Sequence, residues 1–200
     1  MKKGERTRRA IVAGAAPLFN QKGFAGTSLA DLMHATGLQK GGIYRHFLSK
    51  EELAARAFDY SWGQAVRGRL EGVAQIANCV DRLKKTIDNF VELRVGLVPG
   101  GCPLMNTAIE ADNGNAVLRS RAKKALQTWT ARLMKITAEG IEKRQIHAKV
   151  DARKLAQLII GSLEGALLIG RLEKNDKALR DVREHLDEYL EQSVRADKRA

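Results

Sequence analysis

The chain has 200 residues and 22.1 kDa of mass, 44% apolar and 29% charged, enough for one compact domain or two small ones. Its 35 lysines and arginines against 23 acidic residues give a formal charge of +12, and only three prolines occur. Alanine, leucine, lysine, arginine and glutamate dominate and runs of β-branched residues are scarce, which favours helix and argues against a sandwich, a barrel or a doubly wound sheet.

The charge is unevenly spread. Residues 1–50 hold nine basic against two acidic side chains, whereas residues 151–200 hold ten of each. A basic N-terminal quarter joined to a neutral C-terminal quarter points to one end that meets a polyanion and another with a different task. Cys79 and Cys102 fit neither a disulfide framework nor a zinc-ligand spacing, so no metal or cofactor site is expected. The opening residues lack the apolar core of a signal peptide. The most apolar stretch, Leu158 to Gly170, is read as too short to span a bilayer and carries Glu164, so a cytoplasmic protein is expected.

Helical periodicity runs nearly throughout and predicts an all-α fold of about nine helices. The first runs from Glu5 to Lys22 and stops at Gly23. Thr27 or Ser28 caps a second, which ends at Thr36-Gly37, and a third spans Gln39 to Phe47. Ser49 caps a fourth that reaches Gln75 despite Gly63, Gly68 and Gly72. Asn78 opens a fifth, ending near Val98, and Pro99-Gly-Gly-Cys-Pro103 is the clearest break in the chain. A short sixth helix covers Leu104 to Glu110. The turn at residues 112–115 leads into a long seventh ending near Lys143. Asp151 caps the eighth, to Glu173, and Asn175 or Asp176 starts the ninth, ending near Val194. The shift in composition near position 50 predicts an N-terminal three-helix unit over 1–50 and a second helical domain over 51–200.

Residues 24–53 carry the function. Two short helices joined by a glycine-containing turn form a helix-turn-helix, whose second helix can enter a DNA major groove. Leu29, Leu32, Met33, Leu38, Ile43 and Phe47 lock the pair onto the first helix. Gln39, Lys40, Gly41, Tyr44 and Arg45 remain on the other face. Gly41 and Gly42 weaken the helix, which suits a backbone that must approach DNA closely.

Here the sequence resembles the TetR family of bacterial repressors. The resemblance rests on Thr27, Ala30, Ala35-Thr36-Gly37-Leu38, Lys40-Gly41, Tyr44-Arg45-His46-Phe47 and Lys50, and the layout of three helices followed by six extends it over the full chain. It implies that Thr27, Ser28, Tyr44, His46 and Lys50 contact phosphates, while Gln39, Lys40, Gly42 and Arg45 reach base edges, with Gly41 at the closest approach. His46 alternatively closes the third helix against the first, and Tyr44 is alternatively part of the core. The arm Lys2, Lys3, Arg6, Arg8, Arg9 either touches DNA or is a solvated tail.

The same resemblance implies a homodimer on double-stranded operator DNA and a small-molecule effector, apolar or aromatic, in the C-terminal domain. Trp62, Phe90, Leu93, Leu97, Cys102, Met105, Trp129 and Leu133 are the candidate effector contacts. No acidic cluster accompanies them, so nothing in the sequence announces a cationic ligand. Leu155, Leu158, Ile159, Ser162, Leu163, Ala166 and Leu167, with Val182 and Leu186, are the candidate dimer interface. Cys102 opens the sixth helix, where a thiol is activated by the helix terminus. This leaves open a cysteine sensor of electrophiles or oxidants within the same family. A cysteine-dependent enzyme lacks any histidine tied to Cys102 and any nucleotide-binding or hydrolase motif, so no catalytic residue is expected. An architectural DNA binder leaves some 150 residues of neutral, apolar chain unexplained.

Overall fold

Side chains placed just ahead of apolar runs decide where the helices start. In the computed structural model, which describes residues 2–92, 98–112 and 114–196, the helices are α1 (Lys3–Gly26), α2 (Leu29–Thr36), α3 (Lys40–Tyr44), α4 (Lys50–Arg69), α5 (Cys79–Glu92), α6 (Pro103–Ala111), α7 (Ala116–Glu142), α8 (Ala152–Glu173) and α9 (Lys177–Tyr189). A 3-10 turn follows α4 at Val73–Gln75 and a π turn follows α9 at Leu190–Val194. The Ser49 hydroxyl accepts the Glu52 amide, Asn78 accepts Val80 and Asp81, Asn115 accepts Leu118, and Asp151 accepts Arg153 and Lys154. Each cap satisfies amides that the first helical turn leaves without a partner. No strand forms among the described residues, and one isolated antiparallel bridge joins Ile146 to Arg195.

Three ends differ from expectation. The third helix stops at Tyr44 rather than Phe47, with the Arg45 and His46 amides donating hydrogen bonds to the Gly41 and Ile43 carbonyls. Two glycines within five residues leave little propensity to extend it. α4 stops at Arg69 rather than Gln75, because Gly72 takes a left-handed φ of 72° and turns the chain. α1 is broken at Gly23 (φ 75°, ψ 175°) and resumes as one further turn to Gly26. The expected continuation of α5 toward Val98 falls largely outside the described residues.

By packing, the chain divides into two compact units, residues 1–66 with 95–125, and residues 67–94 with 126–200, the division falling inside α4 and α7. In the first unit Ile11, Ala15, Leu32, Ile43, Phe47 and Leu53 form a core flanked by Leu29, Met33 and Leu38. These are the side chains whose spacing predicted that α2 and α3 lie on α1. α6 also packs on α1. In the second unit Leu83 and Ile87 of α5, Leu133 of α7, Ile159 and Leu163 of α8 and Leu186 of α9 are fully buried.

The corner before α6 is latched to α1 by two asparagines. Asn20 donates to the carbonyls of Pro99 (2.9 Å) and Gly101 (3.1 Å), and Asn106 donates to Asn20 O (2.9 Å) and Gly100 O (2.8 Å). Asn20 is itself buried. Removing its amide takes the side-chain donor from both carbonyls and undoes the latch. Asn20→Ala is therefore expected to lower stability to denaturant by about 2 kcal/mol, while a surface change such as Lys3→Ala does not.

Candidate nucleic-acid interface

The turn of the helix-turn-helix is built from local chemistry. Ser28 caps α2 by accepting the Asp31 amide (3.1 Å), and the Asp31 carboxylate accepts the Ser28 amide (2.8 Å) in return. A hydrogen bond from Lys22 (2.6 Å), and next those from Ser28, hold the Asp31 carboxyl well below the usual range. Gly37 closes α2 in the left-handed region at φ 67°, a conformation in which a Cβ is strained. Leu38 and Gln39 then lead directly into α3.

Ile43 and Phe47 face inward and are buried, while Gln39, Lys40, Gly41 and Arg45 are exposed. Gly42, Tyr44 and His46 are half-buried. A Cβ built on Gly41 would meet nothing within 4 Å, so the protein itself gives no reason for its bare backbone. Arg8 braces this edge. Its guanidinium lies 4.8 Å over the Phe47 ring and pairs with Glu52 at 2.6 Å, and the other Glu52 oxygen accepts the Leu48 amide. Arg8 thus belongs to the scaffold, and Arg9 pairs with Glu5, leaving Lys2, Lys3 and Arg6 exposed on the arm.

One expected phosphate contact is overturned. Thr27 is fully buried and its hydroxyl donates back to the Gly23 carbonyl, four residues earlier, at 2.6 Å. Ser28 is exposed, but its hydroxyl serves the α2 cap. Lys50 stands half-exposed with Nζ 4.5 Å over the Phe24 ring. Leu48, 95% exposed in the loop between α3 and α4, escaped the sequence reading, which sends leucines inward.

A further contact was not legible at all. Glu110, at the end of α6, accepts the amides of Phe24 and Ala25 at 2.8 Å each, capping the turn that restarts after Gly23 and leads to α2. A Cβ on Gly23 would lie 2.7 Å from that carboxylate. Eighty-six residues separate Glu110 from Phe24, and no local pattern announces the pair.

The candidate effector residues fall in both units. Phe90 and Trp129 stack in the second, with ring centres 5.8 Å apart, and Leu133 is buried there as well. Trp62, Cys102 and Met105 belong to the first unit, and Leu93 and Leu97 lie outside the described residues. Arg69 and Glu164, which the sequence reading left aside, stand beside the stacked rings.

The candidate dimer face is also redistributed. Leu155, Ile159, Leu163, Ala166, Leu167 and Leu186 are buried within a single chain, Leu163 to 1% exposure, and offer no surface to a partner. Ser162 and Val182 are half-buried and Leu158 is exposed. The outer stripe of α8 instead comprises Leu158, Gly161, Gly165, Leu168, Ile169 and Leu172. Helical period places both stripes on α8, and periodicity alone does not tell inner from outer. At 22 residues α8 has the length and composition of a membrane-crossing helix, contrary to the sequence reading, but its inner stripe is packed into the second unit.

A three-helix scaffold presenting an uncommitted polar and cationic face on a short second helix is the architecture of a helix-turn-helix DNA-binding regulator. Residues 11–57 match the profile of bacterial regulatory proteins of the tetR family, and residues 79–186 that of the tetracyclin repressor-like C-terminal domain. A TetR transcriptional regulator from Chloroflexus aurantiacus superposes with a TM-score of 0.93 at 43% identity, covering 98% of this chain and 100% of its own. The TetR-family regulator of Cytophaga hutchinsonii gives 0.92 at 38% identity, covering 99% of each. The repressor DhaR of Mycobacterium sp. GP1 is 25% identical across 92% of this chain and 88% of its own length. The protein belongs to the TetR family of DNA-binding transcriptional regulators.

The Glu110 contact makes the start of α2 depend on α6. Glu110→Ala is expected to speed hydrogen exchange at the Phe24 and Ala25 amides and to lower stability by about 1–2 kcal/mol. Unchanged protection of those two amides would show that the contact does not hold the turn.

Proposed function

We propose that the protein is a homodimeric repressor that holds a palindromic operator through residues 1–50 and releases it when residues 51–200 bind a small molecule. The observation that carries this reading is the α3 face: Gln39, Lys40 and Arg45 are exposed on a helix fixed by buried Ile43 and Phe47. Lys40 and Arg45, with Gln39 and Gly42, are the base-edge candidates, and Tyr44, His46 and Lys50 anchor phosphates. Ser28 contributes its cap geometry, and Thr27 acts only through the scaffold. The target is double-stranded DNA in the cytoplasm, and no cofactor or catalytic residue is invoked.

Two copies of the outer α8 stripe fit one another. Gly161 and Gly165 have open space where a Cβ would stand, and Leu158, Leu168, Ile169 and Leu172 supply the apolar area around them. A symmetric pair of such faces joins two chains, and so two recognition helices, as a palindrome of two half-sites requires. The cysteine-sensor alternative gains no support, because Cys102 is 3% exposed and a buried thiol is screened from soluble oxidants.

Against an operator selected from random DNA, Lys40→Ala and Arg45→Ala are each expected to weaken specific binding by about 1–3 kcal/mol where the contact is bidentate to a base. Lys50→Ala is expected to weaken all duplexes alike and to reduce the salt slope by about one. Unchanged operator binding in every one of these variants removes α3 as the reading element. Sedimentation tests the assembly: Leu168→Glu, on the outer stripe, gives folded monomers that lose operator affinity, whereas Leu163→Glu, on the inner one, unfolds the protein. A Leu168→Glu dimer overturns the outer-stripe interface.

A further inference from the structure

Arg69, the last residue of α4, carries its charge into the interior of the second unit and is 7% exposed. Its guanidinium carbon lies 4.2 Å from the centre of the Trp129 ring and 4.6 Å from that of Phe90. A carboxylate oxygen of Glu164 stands 3.8 Å from a guanidinium nitrogen. Four helices, α4, α5, α7 and α8, thus bring two aromatic faces and a shielded carboxylate around one positive centre. That is the chemistry by which proteins bind organic cations, and each component is stronger away from bulk water. The guanidinium also shows that a cation of this size fits.

We propose that this box is the effector site, and that its ligand is a small organic cation, an ammonium, amidinium or guanidinium compound, which takes the place of the Arg69 side chain. The proposal rests on the effector-responsive reading above and names the ligand class. With Arg69 displaced, the negative ring faces and Glu164 favour a cation over an anion as occupant. Two cations do not share the box, so ligand and Arg69 compete for it. The backbone at the end of α4 is tied independently of the guanidinium: Asn89 donates to the carbonyls of Arg69 (3.1 Å) and Glu71 (2.8 Å). The long side chain therefore leaves without unwinding the helix, and its departure vacates the space the ligand fills. Sequence reading found no acidic partner because Glu164 sits 95 positions from Arg69 and reads as an isolated charge in an apolar run.

The test uses the full-length protein carrying Trp62→Phe, so that fluorescence reports Trp129 alone, titrated with benzyltrimethylammonium and with its neutral isostere neopentylbenzene. Saturable quenching by the cation and none by the isostere is expected. Arg69→Gln, which removes the internal competitor, tightens binding by at least about tenfold, and Glu164→Gln weakens it by about tenfold. Should Arg69→Gln not fold, Arg69→Lys keeps the charge and serves in its place, with binding tighter than in the parent because the ammonium lacks the planar stack. Equal affinity in the folded Arg69 variant and its parent, or equal binding of the isostere, overturns the proposal. Operator binding, measured without the cation, is a separate readout: its failure overturns the repressor reading and leaves the cation box standing.

Discussion

A helix of five residues with two glycines has no stability of its own in water. Everything α3 does therefore depends on what it is pressed against. Ile43 and Phe47 go into the core formed with Ile11 and Ala15 of α1, Leu32 of α2 and Leu53 of α4. Arg8 then closes the outside of Phe47 while pairing with Glu52, whose second oxygen holds the Leu48 amide. The apolar contacts set where the helix lies, and the ionic brace holds the stretch that follows it. Because these fix the backbone, Lys40 and Arg45 are left with no structural duty and present their charge to solvent.

The same unit contains a second constraint, imposed from far along the chain. The break at Gly23 leaves the Phe24 and Ala25 amides without helical partners. Glu110 of α6 takes the two amides, and the Thr27 hydroxyl takes the Gly23 carbonyl. Asn20 and Asn106 fasten the corner that precedes α6 to the same stretch of α1. α6 is thus a clamp on the entry to α2. A displacement of α6 would act first on the backbone that begins the helix-turn-helix.

What was legible in the sequence is what is local. Caps at Ser28, Ser49, Asn78 and Asp151, the left-handed Gly37 and the apolar positions of α2 and α3 all follow from interactions within a few residues, and the structure reproduces them. Local rules misjudged the length of α3, because they gave too little weight to paired glycines. The family resemblance placed Thr27 on the DNA side, whereas in the fold it is buried with its hydroxyl turned back to the Gly23 carbonyl. On α8 local rules named one apolar set, most of which the fold buries while Leu158 stays exposed, since only tertiary packing tells the inner side from the outer. Glu110 with Phe24, and Arg69 with Glu164, are pairs that only the folded chain brings together, and no pattern in one sequence announces them.

One physical device recurs at both ends of α4. Lys50 at its start lies over Phe24, and Arg69 at its end lies over Phe90 and Trp129. A cation on a ring face is held in place without the directional commitment of a bidentate ion pair, and the attraction is modest where water has access. Such a contact positions a charge and also lets a better partner take it. At the first residue the partner in the proposed function is a phosphate, and the apolar packing of Ala54 and Ala57 further along the helix does not involve the Lys50 charge. At the last residue the ring pair and Glu164 form a low-dielectric pocket, so exchange there requires another cation rather than an anion. If both proposals hold, the same kind of contact serves opposite ligand charges at the two ends of one helix, the difference being burial and the carboxylate.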